Sequence, residues 1–299
     1  MSLDDAEVRR LTIDLLTAPT ARDLQRRIGA SNLSNGCDYC LACNLSGDFR
    51  ETPMLDRAWG GRVVGTALGL LLEERINELH PAFLAEHRML LGELGTYGKV
   101  FSTTDLVIPD ERHALDWKNT TTAKLALILD AVQKFQGLEP IYGRLHAVHK
   151  AKPISEKAYE KELAKNLYKI TGYYGQLQLY GMGLWSEGIP VDRLSNVYIC
   201  RDSTMWWDNS GQDGYMDPGK FHGTAVVSFD YDAEYAEAMW NRGLYIWNAL
   251  EDGASVNDFA HSEHCFPCGL DARGSQKHVE ETPHIPANPV TEVTFGAAA

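Results

Sequence analysis

A short stretch with two carboxylates and a lysine constrains the fold of this chain more than any other feature. Residues 105–120 (DLVIPDERHALDWKNT) contain two apolar runs around a Pro-Asp-Glu-Arg turn, which predicts an antiparallel hairpin. Side chains alternate along a strand, so Asp116 and Lys118 share one face, and a hairpin of this length can bring Asp105 alongside Asp116. Carboxylates are preferred ligands of Mg²⁺, and a lysine can orient or activate water or stabilise charge on phosphate. By itself the pattern is a weak signal, because a surface hairpin with a salt bridge has the same residues.

Two further motifs flank the hairpin. Upstream, a helical pattern over 61–79 contains GTALGLLLE, which ends at Glu73. Downstream, QLQLY places Gln176 and Tyr180 four residues apart, on one face of a predicted helix. The order and spacing of these motifs, over roughly 61–205, resemble the RecB-type branch of the PD-(D/E)xK nuclease superfamily.

The resemblance implies an α/β fold of the restriction-endonuclease type, with a mixed central sheet of four or so strands flanked by helices. It also implies catalytic roles for Lys118 and a set of acidic residues, and contacts of Gln176 and Tyr180 with DNA and the active site. The implied ligands of a Mg²⁺ or Mn²⁺ ion are Glu73, Asp105, Asp116 and the carbonyl of Trp117. One position departs from the family, because Gly69 stands where many members have a metal-binding histidine.

The function implied by the resemblance is a divalent-metal-dependent DNA nuclease, most similar to phage recombination exonucleases. DNA would be its substrate, and a single-strand annealing protein a possible partner. The alternative is a nuclease-fold module that binds DNA or protein with weak or no catalysis. Gly69 favours this alternative, as does the net charge of −13, which argues against non-specific coating of nucleic acid.

Five of the six cysteines lie in two clusters, which favours a metal site over disulfides in an intracellular chain. Two Cys-x-x-Cys pairs can together present four thiolates to one tetrahedral Zn²⁺ and so join the two ends of the chain. In CRISPR-associated RecB-like nucleases, flanking cysteines hold a 4Fe–4S cluster, usually with one cysteine before the motifs and three after. This chain has three cysteines before the motifs and two after them. We therefore prefer zinc and keep the 4Fe–4S cluster as the alternative. The predicted ligands are Cys37, Cys40, Cys265 and Cys268; Cys43, His261 and His264 are further candidates, and Cys200 is predicted to be a core residue.

The 299 residues are 44% hydrophobic, which is an ordinary globular composition for one large domain with elaborations. We divide the chain into an N-terminal helical segment with the first cysteine pair (1–60), a nuclease core (61–232), a C-terminal helix with the second pair (233–270), and a disordered tail (271–299). The segment 29–48, which holds the first three cysteines, is predicted to be a loop. Acidic residues near the start and the lack of a long apolar run predict a cytoplasmic protein without membrane contact, in the host cytoplasm if a phage encodes it.

Overall fold

A computed structural model describes residues 28–47, 59–138, 140, 155–201, 224–262, 265 and 290–295. Within these ranges the chain forms one six-stranded sheet whose strand order follows the chain order. The strands are β1 (Leu84–Leu94), β2 (Gly98–Ile108), β3 (His113–Thr120), β4 (Arg193–Cys200), β5 (Thr224–Asp230) and β6 (Val290–Phe295). The α-helices are α1 (Ala30–Leu33), α2 (Asp38–Ser46), α3 (Trp59–Leu79), α4 (Thr122–Phe135), α5 (Glu156–Ser186) and α6 (Ala233–Glu251).

The sheet is mixed because one strand pair is parallel. β3 and β4 run parallel, and every other neighbouring pair is antiparallel. A parallel pair needs a long crossover, and α4 and α5 lie in the connection between β3 and β4. The predicted hairpin is confirmed as the antiparallel pair of β2 and β3, whereas the sheet has six strands rather than about four.

The two faces of the sheet bury different side chains. The main hydrophobic core includes Ala114 of β3 and Leu177 of α5, so α5 covers the face that carries the even-numbered residues of β3. Leu115 and Ile76 belong to a separate cluster, with Leu72 and Trp117 packed against it, so α3 covers the opposite face. The result is a three-layer α/β/α arrangement in which Asp116 and Lys118 face α5.

Helix α5 is continuous over 31 residues. Its first turn is capped by Ser155, whose side chain accepts a hydrogen bond from Ala158 N. A Cβ at Gly181 would collide with the ring of Tyr231, so glycine allows the helix to pack closely there. The predicted helix that carries Gln176 and Tyr180 is thus confirmed.

Two expectations for the chain ends are wrong. The predicted loop around the first cysteines contains α1 and α2, because Leu41 and Leu45 project from α2 into the main core. The predicted disorder of 271–299 does not hold for 290–295, where a segment rich in β-branched residues adds β6 to the edge of the sheet beside β5. Residues 1–27 and 271–289 lie outside the described residues. No helix in the described part of the chain is long and apolar enough to cross a membrane.

Candidate active site

The strands β2 and β3 separate at the position of Asp105. Their register pairs end at Leu106–Leu115, and the next position brings Asp105 alongside Asp116, as the sequence predicts. Beyond the last pair, the Asp105 carboxylate replaces a backbone acceptor, since Trp117 N donates to its Oδ2 at 2.5 Å. Asp105 is therefore held at the fork between two strands, where a side chain can meet a ligand that a fully paired strand would exclude.

Asp116 is the centre of a buried polar network. The residue is 4% exposed, and its Oδ2 lies 2.5 Å from Lys118 Nζ. Its Oδ1 accepts hydrogen bonds from Gln176 Nε2 at 3.3 Å and from Tyr180 OH at 3.2 Å. Lys118 Nζ also donates to Gln176 Oε1 at 3.1 Å, which closes the network. Four residues from motifs far apart in sequence thus meet at one point, next to Asp105.

The pKa values of Asp105, Lys118 and Tyr180 are all raised in this environment. Burial, and next the negative charge of Asp116, raise the pKa of Asp105 to about 7, and Glu86 acts in the same direction. Burial lowers the pKa of Lys118, but the adjacent Asp116 outweighs it and the net shift is upward. Burial also raises the pKa of Tyr180 well above its usual value. Lys118 therefore stays a cation and Tyr180 a hydroxyl donor at neutral pH.

Glu73 is not brought into this network. Its helix neighbours Leu72 and Ile76 pack with Trp117, on the face of the sheet opposite Asp116. Within the described residues, no hydrogen bond or ion pair joins Glu73 to Asp116. A Cβ at Gly69 would meet nothing within 4 Å, so the departure from the family leaves open space there.

A cleft of about 730 Å³ opens beside the network. Its lining includes Gln176 and Tyr180 of the network together with Glu86, Arg88 and Phe101. The Arg88 guanidinium lies 4.3 Å from the centre of the Phe101 ring, which makes a cationic and aromatic surface on β1 and β2. The sequence prediction missed all three residues, because they carry no motif and only the strand register brings them to the site.

Three cysteines form a second candidate site, which could hold a metal ion such as zinc. Cys37, Cys40 and Cys265 are buried, and their Sγ atoms lie within 4.8 Å of one another. The 3.4 Å between Cys40 Sγ and Cys265 Sγ is much longer than a disulfide bond. Thiolates bound at about 2.3 Å around one tetrahedral ion lie about 3.8 Å apart, so the three donors fit a single ion. Cys268 and His264 lie outside the described residues.

Two other predicted ligands, Cys43 and His261, lie near these three cysteines. Cys43 is buried in the same cluster, one turn of α2 beyond Cys40, and the ring of His261 stacks on Tyr39 at 3.8 Å. Tyr168 of α5 packs against the same cluster. Cys200 belongs to the main core instead, as the sequence predicts.

Comparison with known proteins adds little to this description. No family model matches the sequence, and no curated protein matches it. A solved structure of a protein called SSO0001 is 14% identical, covers 83% of this chain and 89% of its own, and has a TM-score of 0.42. A phage-related exonuclease from Haemophilus somnus 129PT is 11% identical, covers 77% of this chain and 96% of its own, and has a TM-score of 0.41. These similarities are too low for either protein's role to be carried over to this chain.

Proposed function

We propose that this chain is a divalent-metal-dependent deoxyribonuclease with a PD-(D/E)xK core, and that it acts as an exonuclease in recombination or repair. The observation that supports the proposal best is the convergence of Asp105, Asp116 and Lys118 at the fork between β2 and β3. Two carboxylates and a buried ammonium at one accessible point suit phosphodiester hydrolysis. The proposal includes a cytoplasmic location and a single-strand annealing protein as partner.

Each residue has a distinct role in the proposed reaction. Asp105 and Asp116 would hold a Mg²⁺ or Mn²⁺ ion, with the Trp117 carbonyl as a further oxygen ligand. Such an ion polarises the scissile phosphate and lowers the pKa of a bound water. Lys118 faces the same point and would stabilise the charge that builds on the phosphate oxygens.

Gln176 and Tyr180 would position Asp116. Both donate to the same oxygen, Asp116 Oδ1, and Gln176 also accepts from Lys118. They therefore fix the carboxylate and the ammonium relative to each other before substrate binds. Pre-positioned groups of this kind need no reorganisation during the reaction, which is a main source of electrostatic catalysis.

The cleft beside the network suits a nucleotide strand. Arg88 can meet a phosphate, and the exposed part of the Arg88–Phe101 surface can stack on a base. With a net charge of −13, most of the surface repels DNA, so binding would be restricted to such local contacts.

One observation favours the second candidate, a nuclease-fold module without catalysis. The Lys118 ammonium already balances the charge of Asp116, and Gln176 and Tyr180 donate to its Oδ1, so the carboxylate is held without a cation. Under this alternative, the network would be a structural feature of the core, and DNA or protein binding would not depend on a divalent ion.

A cleavage assay with end-labelled DNA separates the two candidates. We expect cleavage that requires Mg²⁺ or Mn²⁺ and is lost in Asp116→Asn. Asp110→Asn is the matched control, since Asp110 is an exposed carboxylate in the turn of the same hairpin. Metal-independent binding without cleavage, the same in wild type and Asp116→Asn, would establish the binding module instead.

We also propose that the cysteine cluster holds a structural Zn²⁺, with Cys268 as the fourth ligand. The single-ion spacing of the three sulphur atoms supports zinc, because the thiolates of a 4Fe–4S cluster bind different irons and stand farther apart. The cluster joins α2 to the segment after α6, so the ion would stabilise the fold.

A further inference from the structure

A row of polar residues crosses four neighbouring strands on the face that carries Asp116. Glu86 on β1 lies opposite Asp105 on β2, because the register pairs on both sides of this position are formed. Those flanking pairs are Ala85–Leu106 and His87–Thr104. Asp105 in turn lies alongside Asp116, which pairs with Asn196 of β4. The order across the sheet is therefore Glu86, Asp105, Asp116, Asn196.

Glu86 occupies an unusual position for a glutamate. Its φ of 45° lies in the left-handed region, which costs a residue with a Cβ some free energy. The residue is only partly buried, and it lines the same cleft as Gln176 and Tyr180, the two residues that hold Asp116. Glu86 therefore borders the candidate site, where its negative charge acts on Asp105.

Asn196 supplies an independent indication of a ligand at this row. It is 1% exposed, and neither atom of its amide has a hydrogen-bond partner in the described part of the chain. Paired residues on neighbouring strands point to the same face, so this amide lies beside Asp116. A buried polar group without a partner is costly, which indicates a polar species between the sheet and α5.

The formal charges of the row agree with a divalent cation. Three ionised carboxylates and the Lys118 ammonium sum to −2. Oxygen ligands from neighbouring strands are the kind of set that Mg²⁺ and Mn²⁺ accept. Glu73 lies on the helix that covers the other face of the sheet, and so is less suited to complete this set.

We infer that Glu86 is the third carboxylate ligand of the catalytic cation, in the role that the sequence motif assigns to Glu73, and that the Asn196 amide faces the cation's remaining ligands. This inference rests on the proposed nuclease function. It adds a metal ligand from β1, outside the motif-bearing segments of the sequence.

Titration of the purified full chain with Mn²⁺ alone, followed by calorimetry, tests the assignment without any cleavage assay. We expect Glu86→Gln to weaken Mn²⁺ binding at least about tenfold, as loss of a metal-site residue does. Glu93→Gln is the matched control, because Glu93 is an exposed glutamate on the same strand, and it should bind Mn²⁺ like wild type. Glu73→Gln tests the rival ligand, and it should bind Mn²⁺ like wild type if Glu86 is the third carboxylate.

Two outcomes overturn different claims. If Glu86→Gln binds Mn²⁺ like wild type while Asp116→Asn does not, the inference is wrong and the proposed function survives. If wild type and Asp116→Asn both fail to bind Mn²⁺, the proposed function fails with it. Glu86→Asp, which keeps the charge on a shorter side chain, replaces Glu86→Gln if the latter melts far below wild type, and the same tenfold criterion applies.

Asn196→Leu gives a second readout. An unpartnered amide does not stabilise the metal-free protein, so the variant should melt at or above the wild-type temperature without metal. The upward shift of the melting temperature on adding Mn²⁺ should be smaller than in wild type. A metal-free variant that melts well below wild type, with an unchanged Mn²⁺ shift, would show that the amide is structural and would remove it from the site.

Discussion

Arg242 of α6 reaches the start of α2, where its Nε lies 2.6 Å from Asp38 Oδ1. The same guanidinium donates to the backbone oxygens of Leu33 at 3.0 Å and Asn35 at 2.8 Å. One side chain therefore fixes the loop between α1 and α2, which leads into Cys37. The planar fork of arginine suits three acceptors in this arrangement, and lysine cannot reproduce it.

Replacing Arg242 should therefore destabilise the segment that carries the first cysteines. We expect Arg242→Met to lower the free energy of unfolding by about 2–3 kcal/mol, because two backbone acceptors and Asp38 lose their partner. Urea denaturation measures the effect. Arg75→Gln is the control, since its ion pair with Glu78 is exposed on both sides and should contribute under about 1 kcal/mol. Equal midpoints for the two variants would contradict the role of Arg242.

Lys118→Ala should abolish cleavage without preventing DNA binding. The ammonium would act on charge that exists only in the transition state, so we expect the rate to fall at least about 100-fold. Binding of labelled DNA in Ca²⁺, measured by fluorescence anisotropy, should stay within about threefold of wild type. Cleavage at the wild-type rate would show that Lys118 belongs to the core alone.

The cysteines should fall into two classes when replaced by serine. Cys265→Ser should lose the metal and melt well below wild type, because metal binding at such a site is folding free energy. Cys200→Ser should keep the metal and cost about 1–3 kcal/mol through a buried hydroxyl. Metal analysis identifies the ion: one zinc and no visible absorbance supports the proposal, whereas about four irons and absorption near 400 nm supports a cluster. Neither metal, with Cys265→Ser melting like wild type, would contradict both.

His113 should make the protein less stable in acid. Burial, and next the charge of Arg193, lower the pKa of His113 to about 4 from 6.5. The folded state thus prefers the neutral imidazole, whose Nε2 lies 2.7 Å from Ser195 Oγ. The stabilisation is complete above pH 6.5 and is lost as the pH falls towards 4.

Urea denaturation at pH 7 and pH 4.5 measures this effect. Between pH 7 and pH 4.5, the free energy of unfolding of His113→Gln should fall by about 1–2 kcal/mol less than that of wild type, after allowance for the partial exposure of the ring. His80→Gln, at an exposed histidine, should follow wild type. A variant at position 113 with the wild-type pH dependence would show that other groups cause the acid sensitivity.

The sequence predicts those parts of the site that local pattern controls. Alternation along β3 places Asp116 and Lys118 on one face, and the four-residue spacing of Gln176 and Tyr180 places both on one face of α5. These arrangements follow from the geometry of one strand and one helix. The hydrogen bonds of Asp116 to Gln176 and Tyr180 agree with them.

The remaining features depend on pairing between distant segments, which no local pattern contains. Glu86 meets Asp105 only through the register of β1 and β2, and Asn196 meets Asp116 only through the parallel pair with β4. Helix α2 escaped prediction because its buried leucines are interspersed with residues that favour turns. Strand β6 escaped prediction because its partner β5 lies far away in sequence.

Helix α5 carries residues of both candidate sites. The number of residues between the two sites is therefore fixed by the geometry of the helix. Tyr168 packs on the cysteine cluster, and Gln176 follows eight residues later in the carboxylate network, about 12 Å along the axis. A groove of about 220 Å³ is lined by residues of both sites, among them Cys265 and Gln176. One residue inserted into 169–175 would turn one site away from the other by about 100°. This interval can therefore accept no gaps, and a chain that shares both sites should align with it residue for residue.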